Sequence, residues 1–160
     1  MRVARTQQGF SLIEILITLV VLSVGLLGVA ALHAESLRSS RSAYLRTKAV
    51  SLASDMADRM RSNRPAALAG NYVSTAGDHG SNKDCADDTS GGATKVCAPA
   101  DMARHDIWLW KSAIEDARNG LPGPGTGALT SNGAALPTYT ILISWNDASQ
   151  ASSYSIEVQP

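Results

Sequence analysis

The 160-residue sequence predicts an α+β fold, in which a long N-terminal α-helix is followed by a small antiparallel β-sheet. Two patterns lead to this prediction. The chain has no proline before Pro65 and carries apolar residues at helical spacing up to that point, whereas residues 139–158 alternate apolar with polar side chains. A chain of this length holds one ordinary domain and at most one appendage. We therefore expect a single head attached to the helix.

The helix is predicted to begin with a membrane-spanning segment. Residues 15–32 are 18 consecutive residues without a charge, about the number that an α-helix needs to cross a hydrocarbon layer ~30 Å thick. A cleaved secretory signal peptide, with a cleavage site at Val29-Ala30-Ala31, is the alternative. The apolar run is longer than the apolar region of such a peptide, and Glu14 stands at its start. We therefore expect residues 10–33 to be retained as a membrane anchor.

The second half of the helix, residues 34–64, is predicted to pack under the head. Good helix formers dominate it, and Asn63-Arg64-Pro65 is expected to end it. One face carries apolar residues at spacings of three and four, which is typical of a buried stripe. The stripe consists of Leu45, Ala49, Leu52, Met56 and Met60.

The head, residues 65–160, is predicted to open with an irregular segment that a disulfide fastens. Residues 69–98 are rich in Gly, Ser, Asn and Asp and show no periodicity. Cys85 and Cys97 are expected to form the disulfide, because their spacing is not that of a C-x-x-C redox or metal pair. Calcium ligands could be imagined in the same segment, but their spacing is irregular and hydrated surface is the better interpretation. The candidate ligand side chains are those of Asp78, Asn82, Asp84, Asp87 and Asp88. No metal or other cofactor is expected.

A second helix is predicted over about Asp101 to Asn119, ending at Gly120-Leu-Pro-Gly. Its apolar stripe is expected to consist of Ile107, Trp110, Ile114, Ala117 and Leu121, with Trp110 in the core.

Three strands are predicted to follow. Tyr139, Ile141, Ile143 and Trp145 alternate with polar or outward-facing residues, and Tyr154, Ile156 and Val158 do the same. A third strand is expected at Ala128 to Thr130. The apolar faces would cover the second half of the long helix.

Charge balance and histidine spacing argue against two classes of function, nucleic-acid coating and catalysis. The 14 basic and 14 acidic residues cancel, which is unlike a protein that coats nucleic acid. Charge is nevertheless separated, because residues 35–64 sum to +4 and residues 71–160 to −5. The three histidines, His33, His79 and His105, show no catalytic or metal-ligand spacing, and no enzyme activity is expected.

The segment Gln8-Gly9-Phe10-Ser11-Leu12-Ile13-Glu14-Ile15-Leu16-Ile17-Thr18-Leu19 resembles the processing site of type IV prepilins and pseudopilins. The resemblance implies that a prepilin peptidase removes the leader, residues 1–9, by cutting after Gly9, and methylates the new amino terminus at Phe10. Glu14 is retained as the subunit docking residue. Phe10 and Glu14 share a helix face, so Glu14 of one subunit could meet the cationic amine of a neighbour's Phe10.

Three further segments resemble the PilV group of minor type IV pilins: residues 22–28, residues 42–46 and residues 55–61. This resemblance implies a minor pilin that takes part in pilus assembly initiation, adhesion and twitching motility. The implied partners are the prepilin peptidase, other minor pilins, the major pilin, the inner-membrane assembly platform and a tip adhesin. The protein would cross the inner membrane once with its head in the periplasm, and would reach the pilus and cell surface after assembly. The excess of basic residues after the anchor points the other way by the positive-inside rule, and we give the leader greater weight.

Two alternatives remain open at this stage. A minor pseudopilin of a type II secretion system would share the leader and the long helix. A DNA-binding competence pilin is the other alternative, and the acidic head argues against it, so no nucleic acid is expected as a partner.

Overall fold

The computed structural model describes residues 9–85, 96–147 and 150–160, and it has the predicted α+β architecture. Three helices precede three strands. They are α1 (Leu12–Ser62), α2 (Arg64–Leu68), α3 (Pro99–Glu115), β1 (Thr126–Ser131), β2 (Tyr139–Asp147) and β3 (Gln150–Val158).

The chain divides by its contacts into two compact units, Met1–Arg41 and Ser42–Pro160. In the first unit, the large apolar side chains of α1 are exposed. This part of α1 is apolar and long enough to cross a membrane, with a mean hydropathy of 2.8 over its best 18-residue window. The hydroxyls of Thr18 and Ser23 donate to the backbone carbonyls of Ile15 and Val20, at 2.7 and 2.8 Å. These polar groups are thus satisfied within the helix, as a hydrocarbon environment requires.

The second unit contains the hydrophobic core. The whole predicted stripe of α1 is buried in it, together with Trp110 and the apolar face of β2. Trp110 Nε1 donates to the Leu52 carbonyl at 2.9 Å, and the Tyr139 hydroxyl donates to the Ala67 carbonyl at 2.6 Å. Both bonds satisfy a polar atom inside the core, so the two large aromatics can be buried without an unpaired donor.

The sheet has the order β1-β2-β3, and both pairs are antiparallel. The pairing of β2 with β3 runs without a break from Tyr139↔Val158 to Asp147↔Gln150. Burial alternates along β2, where Tyr139, Ile141 and Ile143 are fully buried. The three predicted strands are therefore present, and β1 is longer than the predicted segment 128–130.

The structure corrects the predicted boundaries at two places. α1 ends at Ser62, but Pro65 does not end the helical part of the chain. It lies in the first turn of α2, where its fixed φ suits a helix start. The next helix, α3, ends at Glu115 rather than near Asn119. There the Asp116 carboxylate accepts the backbone N–H groups of Arg118 and Asn119, at 2.7 and 3.2 Å, and forms a turn instead. The prediction that Ala117 joins the buried stripe was wrong, since Ala117 is exposed after this turn.

Candidate functional site

The bond between Gly9 and Phe10 lies just before α1, outside regular secondary structure. Ser11 precedes the helix, and its carbonyl accepts the backbone N–H groups of Glu14 and Ile15, at 3.1 and 3.3 Å. This is the position from which the first bonds of a helix are made. Gly9 is exposed and the Phe10 side chain is 81% exposed. A peptidase can therefore reach this bond without unwinding the helix. The leader, Met1 to Gln8, lies outside the described residues.

Glu14 lies in the first turn of α1, beside apolar side chains. Phe10, Glu14, Ile15 and Thr18 line a shallow groove of about 280 Å³ on one side of the helix. The helix dipole favours a carboxylate at this end, by about 0.3–1 kcal/mol. Transfer into lipid or another apolar environment costs several times more unless a cation pairs with it. The groove therefore offers one carboxylate, flanked by apolar surface, to a cationic partner.

A second polar cluster lies within the head and was missed from the sequence. Asp106 is 6% exposed and accepts from Arg59 Nη1 at 3.0 Å and from the Tyr72 hydroxyl at 2.6 Å. Arg59 also bonds Asp55 at 3.0 Å, and Asn63 Nδ2 donates to the Tyr72 hydroxyl at 3.2 Å. Burial, together with the neighbouring Asp106 carboxylate, raises the pKa of Tyr72 far above its usual 10.0. This cluster ties the end of α1 to α3 and to the segment between them.

Lys111 is a buried lysine, 1% exposed. Its ammonium donates to the carbonyls of Thr75 and Asp78. Burial lowers the pKa of Lys111, and the nearby carboxylates of Asp78 and Glu115 oppose that effect. The contact fixes the turn after Ser74 against α3. One signal in the sequence could have indicated it, namely a lysine next to Trp110 in the apolar stripe.

The predicted disulfide between Cys85 and Cys97 is present, with the two Cα atoms 5.6 Å apart. Lys83, two residues before Cys85, makes two polar contacts with α3. The Lys83 backbone N–H donates to Nδ1 of buried His105 at 3.2 Å, and Lys83 Nζ lies 3.5 Å from an Asp101 carboxylate oxygen. These contacts fasten the described residues just before Cys85 to α3.

Two of the side chains considered as calcium ligands accept backbone hydrogen bonds from their own segment. Asp78 Oδ1 and Asn82 Oδ1 each accept the backbone N–H two residues further on, at 3.1 and 2.9 Å. Such bonds belong to ordinary Asx turns. Among the residues described in the structure, no three His, Cys, Asp or Glu side chains are grouped as metal ligands would be. Two of the five candidates lie outside the described residues, Asp87 and Asp88.

Comparison with known families gives two matches that adjoin each other. Residues 4–30 match the prokaryotic N-terminal methylation motif, and residues 31–108 match the family described as type IV pilin Tt1218. No curated protein and no solved structure matches the chain. The two matches support a pilin-like subunit, and the motif implies processing by a prepilin peptidase and assembly with other pilins. They include the exposed Gly9–Phe10 bond, Glu14 and all of α1, whereas the sheet lies beyond them.

Proposed function

We propose that this protein is a minor subunit of a type IV pilus, of the PilV group, that becomes competent for assembly when the leader is cut after Gly9. One observation carries the proposal: the exposed Gly9–Phe10 bond stands directly before a helix that has Glu14 in its first turn and 18 uncharged residues after it. Residues 10–33 then serve as the anchor, residues 34–64 continue the helix under the head, and residues 65–160 form the head.

Cleavage changes the charge at the start of the anchor. It creates an α-amine on Phe10 that is cationic near neutral pH, and methylation keeps this charge. In an apolar environment, the amine of one subunit and Glu14 of its neighbour lower each other's cost of burial when they pair. An uncleaved subunit lacks the amine at this position. Docking is thus coupled to processing through a single ion pair.

The head is proposed to lie in the periplasm before assembly. A disulfide persists in an oxidising compartment, and the Cys85–Cys97 bond supports this orientation. After assembly the subunit lies at the cell surface, where it takes part in pilus initiation, adhesion and twitching motility. Its partners are the major pilin, other minor pilins, the assembly platform and a tip adhesin.

Replacement of Glu14 tests the proposal. Glu14→Ala and Glu14→Gln remove the charge, so we expect each to reduce the amount of subunit in sheared surface filaments at least tenfold, with an unchanged amount in the membrane. Glu14→Asp keeps the charge and should retain part of the incorporation. The measurement is an immunoblot of filament and membrane fractions.

Glu35→Ala is the matched control, because Glu35 lies on the same helix in an exposed pair with Arg38 at 3.7 Å. Surface pairs of this kind contribute little, so incorporation should be unchanged. Equal incorporation of Glu14→Ala and the unaltered chain would contradict the proposal. Deletion of the whole chain should reduce surface piliation, whereas loss of secreted proteins with normal piliation would assign the subunit to a secretion pseudopilus.

A further inference from the structure

The two edges of the sheet differ. The outer edge of β1 is paired at its middle, where Leu129 exchanges two backbone hydrogen bonds with Ser74, at 2.9 and 2.8 Å. The outer edge of β3 has no such neighbour among the described residues, since β3 pairs only with β2. A row of backbone N–H and C=O groups is therefore available along β3 for a further strand.

β3 also lacks the features with which proteins protect open edges. It is nine residues long, its register against β2 has no bulge, and it contains neither proline nor lysine. Its single charge is Glu157. Protected edges are short, bulged, or marked by lysine, proline or inward-pointing charges. This edge can therefore accept another strand over its full length.

The side chains of β3 favour a strand with the same alternation. Tyr154 and Ile156 pack against the core but remain only half-buried. On the other face, Ser153, Ser155 and Glu157 are exposed. A strand added beside β3 would cover the remaining surface of Tyr154 and Ile156 if it placed apolar residues on the core side and small polar residues on the outer side.

We infer that β3 of a second copy of this chain occupies the edge, antiparallel and centred on Tyr154. This register pairs all nine residues and joins the two sheets into one of six strands. β3 itself has the required alternation, and Ser153 of one copy stands opposite Ser155 of the other on the outer face. Glu157 stands opposite Ala151, so no like charges meet.

Anchoring of both copies in one membrane raises their effective concentration. The inference concerns a self-contact of the head and does not depend on the proposed role in a pilus.

A charge exchange at the two serines tests both the contact and its register. Ser153→Lys/Ser155→Lys places lysine opposite lysine twice, and the dissociation constant of the dimer should rise about tenfold. Ser153→Glu/Ser155→Lys places glutamate opposite lysine twice, and the dissociation constant should return to within about threefold of that of the unaltered chain. The measurement is sedimentation velocity of the full chain in detergent micelles over a range of concentrations.

Thr130→Lys is the matched control, since it introduces an exposed lysine on β1, at the opposite side of the sheet from the β3 edge. It should leave the dissociation constant unchanged. Circular dichroism and an intact mass that retains the disulfide establish that each variant is folded. A monomer at every concentration would overturn the inference. So would a dimer that is equally stable in the Lys/Lys and Glu/Lys variants, because that result would place the contact elsewhere, such as on the membrane helix.

Discussion

Asp106 is a carboxylate inside the head, and its two oxygens have different partners. Oδ1 accepts from Arg59 and Oδ2 from the Tyr72 hydroxyl. Arg59 belongs to α1 and Tyr72 to the segment after α2, so a single residue of α3 connects three parts of the chain. A buried charge of this kind contributes through its hydrogen bonds, and removal of one partner leaves the others unpaired.

We expect Asp106→Ala to lower the free energy of unfolding by about 2–4 kcal/mol, because the mutation removes the acceptor of one Arg59 N–H and leaves the Tyr72 hydroxyl only the longer contact to the Arg59 carbonyl, at 3.4 Å. Asp58→Ala is the control, since Asp58 pairs with Arg61 at 2.8 Å on the exposed side of α1. Its cost should be below about 1 kcal/mol. Urea unfolding of the full chain in micelles, followed by tryptophan fluorescence, measures both. Equal losses in the two variants would show that the buried cluster does not hold the head together.

Ionisation of Tyr72 makes the stability of the head depend on pH in the alkaline range. Its pKa is raised in the folded state by burial and by Asp106, above the 10.0 of an ordinary tyrosine. Stability is therefore fully present below pH 10 and is lost as the pH rises from there toward the folded pKa, at a rate of up to about 1.4 kcal/mol per pH unit.

The Tyr72→Phe variant isolates this effect. Between pH 10 and 11 its unfolding free energy should fall less steeply than that of the unaltered chain, although it is less stable at pH 7. Lys111, whose lowered pKa acts in the opposite direction, and Tyr139, whose pKa is raised by burial, are present in both proteins. Their contributions therefore cancel in the comparison. Identical slopes would mean that Tyr72 ionises alike in the folded and unfolded states.

At the scale of the elements, the contact between α3 and β1 depends on a glycine. A Cβ atom at Gly127 would lie 2.5 Å from two ring carbons of Trp110 and 2.8 Å from Ile114 Cδ1. The strand can approach the helix this closely only because the position has no side chain.

Gly127→Ala should therefore lower the unfolding free energy by about 1–3 kcal/mol through overpacking. Gly77→Ala is the matched control, because no atom lies within 4 Å of its added Cβ, and its effect should stay within about 0.5 kcal/mol. Thermal or urea unfolding of both variants checks this. A neutral Gly127→Ala variant would show that β1 can move away from Trp110 at no cost.

Most elements could be predicted from the sequence because their signals are local. The stripe from Leu45 to Met60 and the alternation from Tyr139 to Trp145 repeat with the periods of a helix and a strand, and both are buried as predicted. The early end of α3 was missed, since it depends on how the Asp116 side chain turns back to the backbone. The extra length of β1 was missed because Gly127 is a poor strand former and its place is set by Trp110.

Some residues of the candidate site could be recognised from the sequence and others could not. Gly9, Phe10 and Glu14 lie within six residues of one another, so the order of the residues alone is enough to recognise their pattern. The cluster around Asp106 could not be recognised in this way, because its partners lie 47 and 34 residues away. That β3 has a free edge among the described residues was also beyond prediction, since it depends on the order of the strands in the sheet.

At the scale of the whole molecule, basic and acidic residues occupy different parts of the chain, with +4 over residues 35–64 and −5 over residues 71–160. Part of the basic charge is already paired, since Arg59 bonds Asp55 and Asp106, and Arg61 bonds Asp58. We expect no DNA retention in a filter-binding assay at ~50 mM salt. Retention that falls steeply as salt is added would contradict this and would favour a competence pilin.

The central claim is that the chain is a processed subunit whose new amino terminus lies at the start of its membrane anchor. Intact mass together with N-terminal sequencing of the protein from native membranes tests it most directly. The predicted result is a chain nine residues shorter than the full sequence that begins at methylated Phe10 and keeps the Cys85–Cys97 disulfide. A chain that begins at Met1, or one cut near Leu32, would contradict the claim.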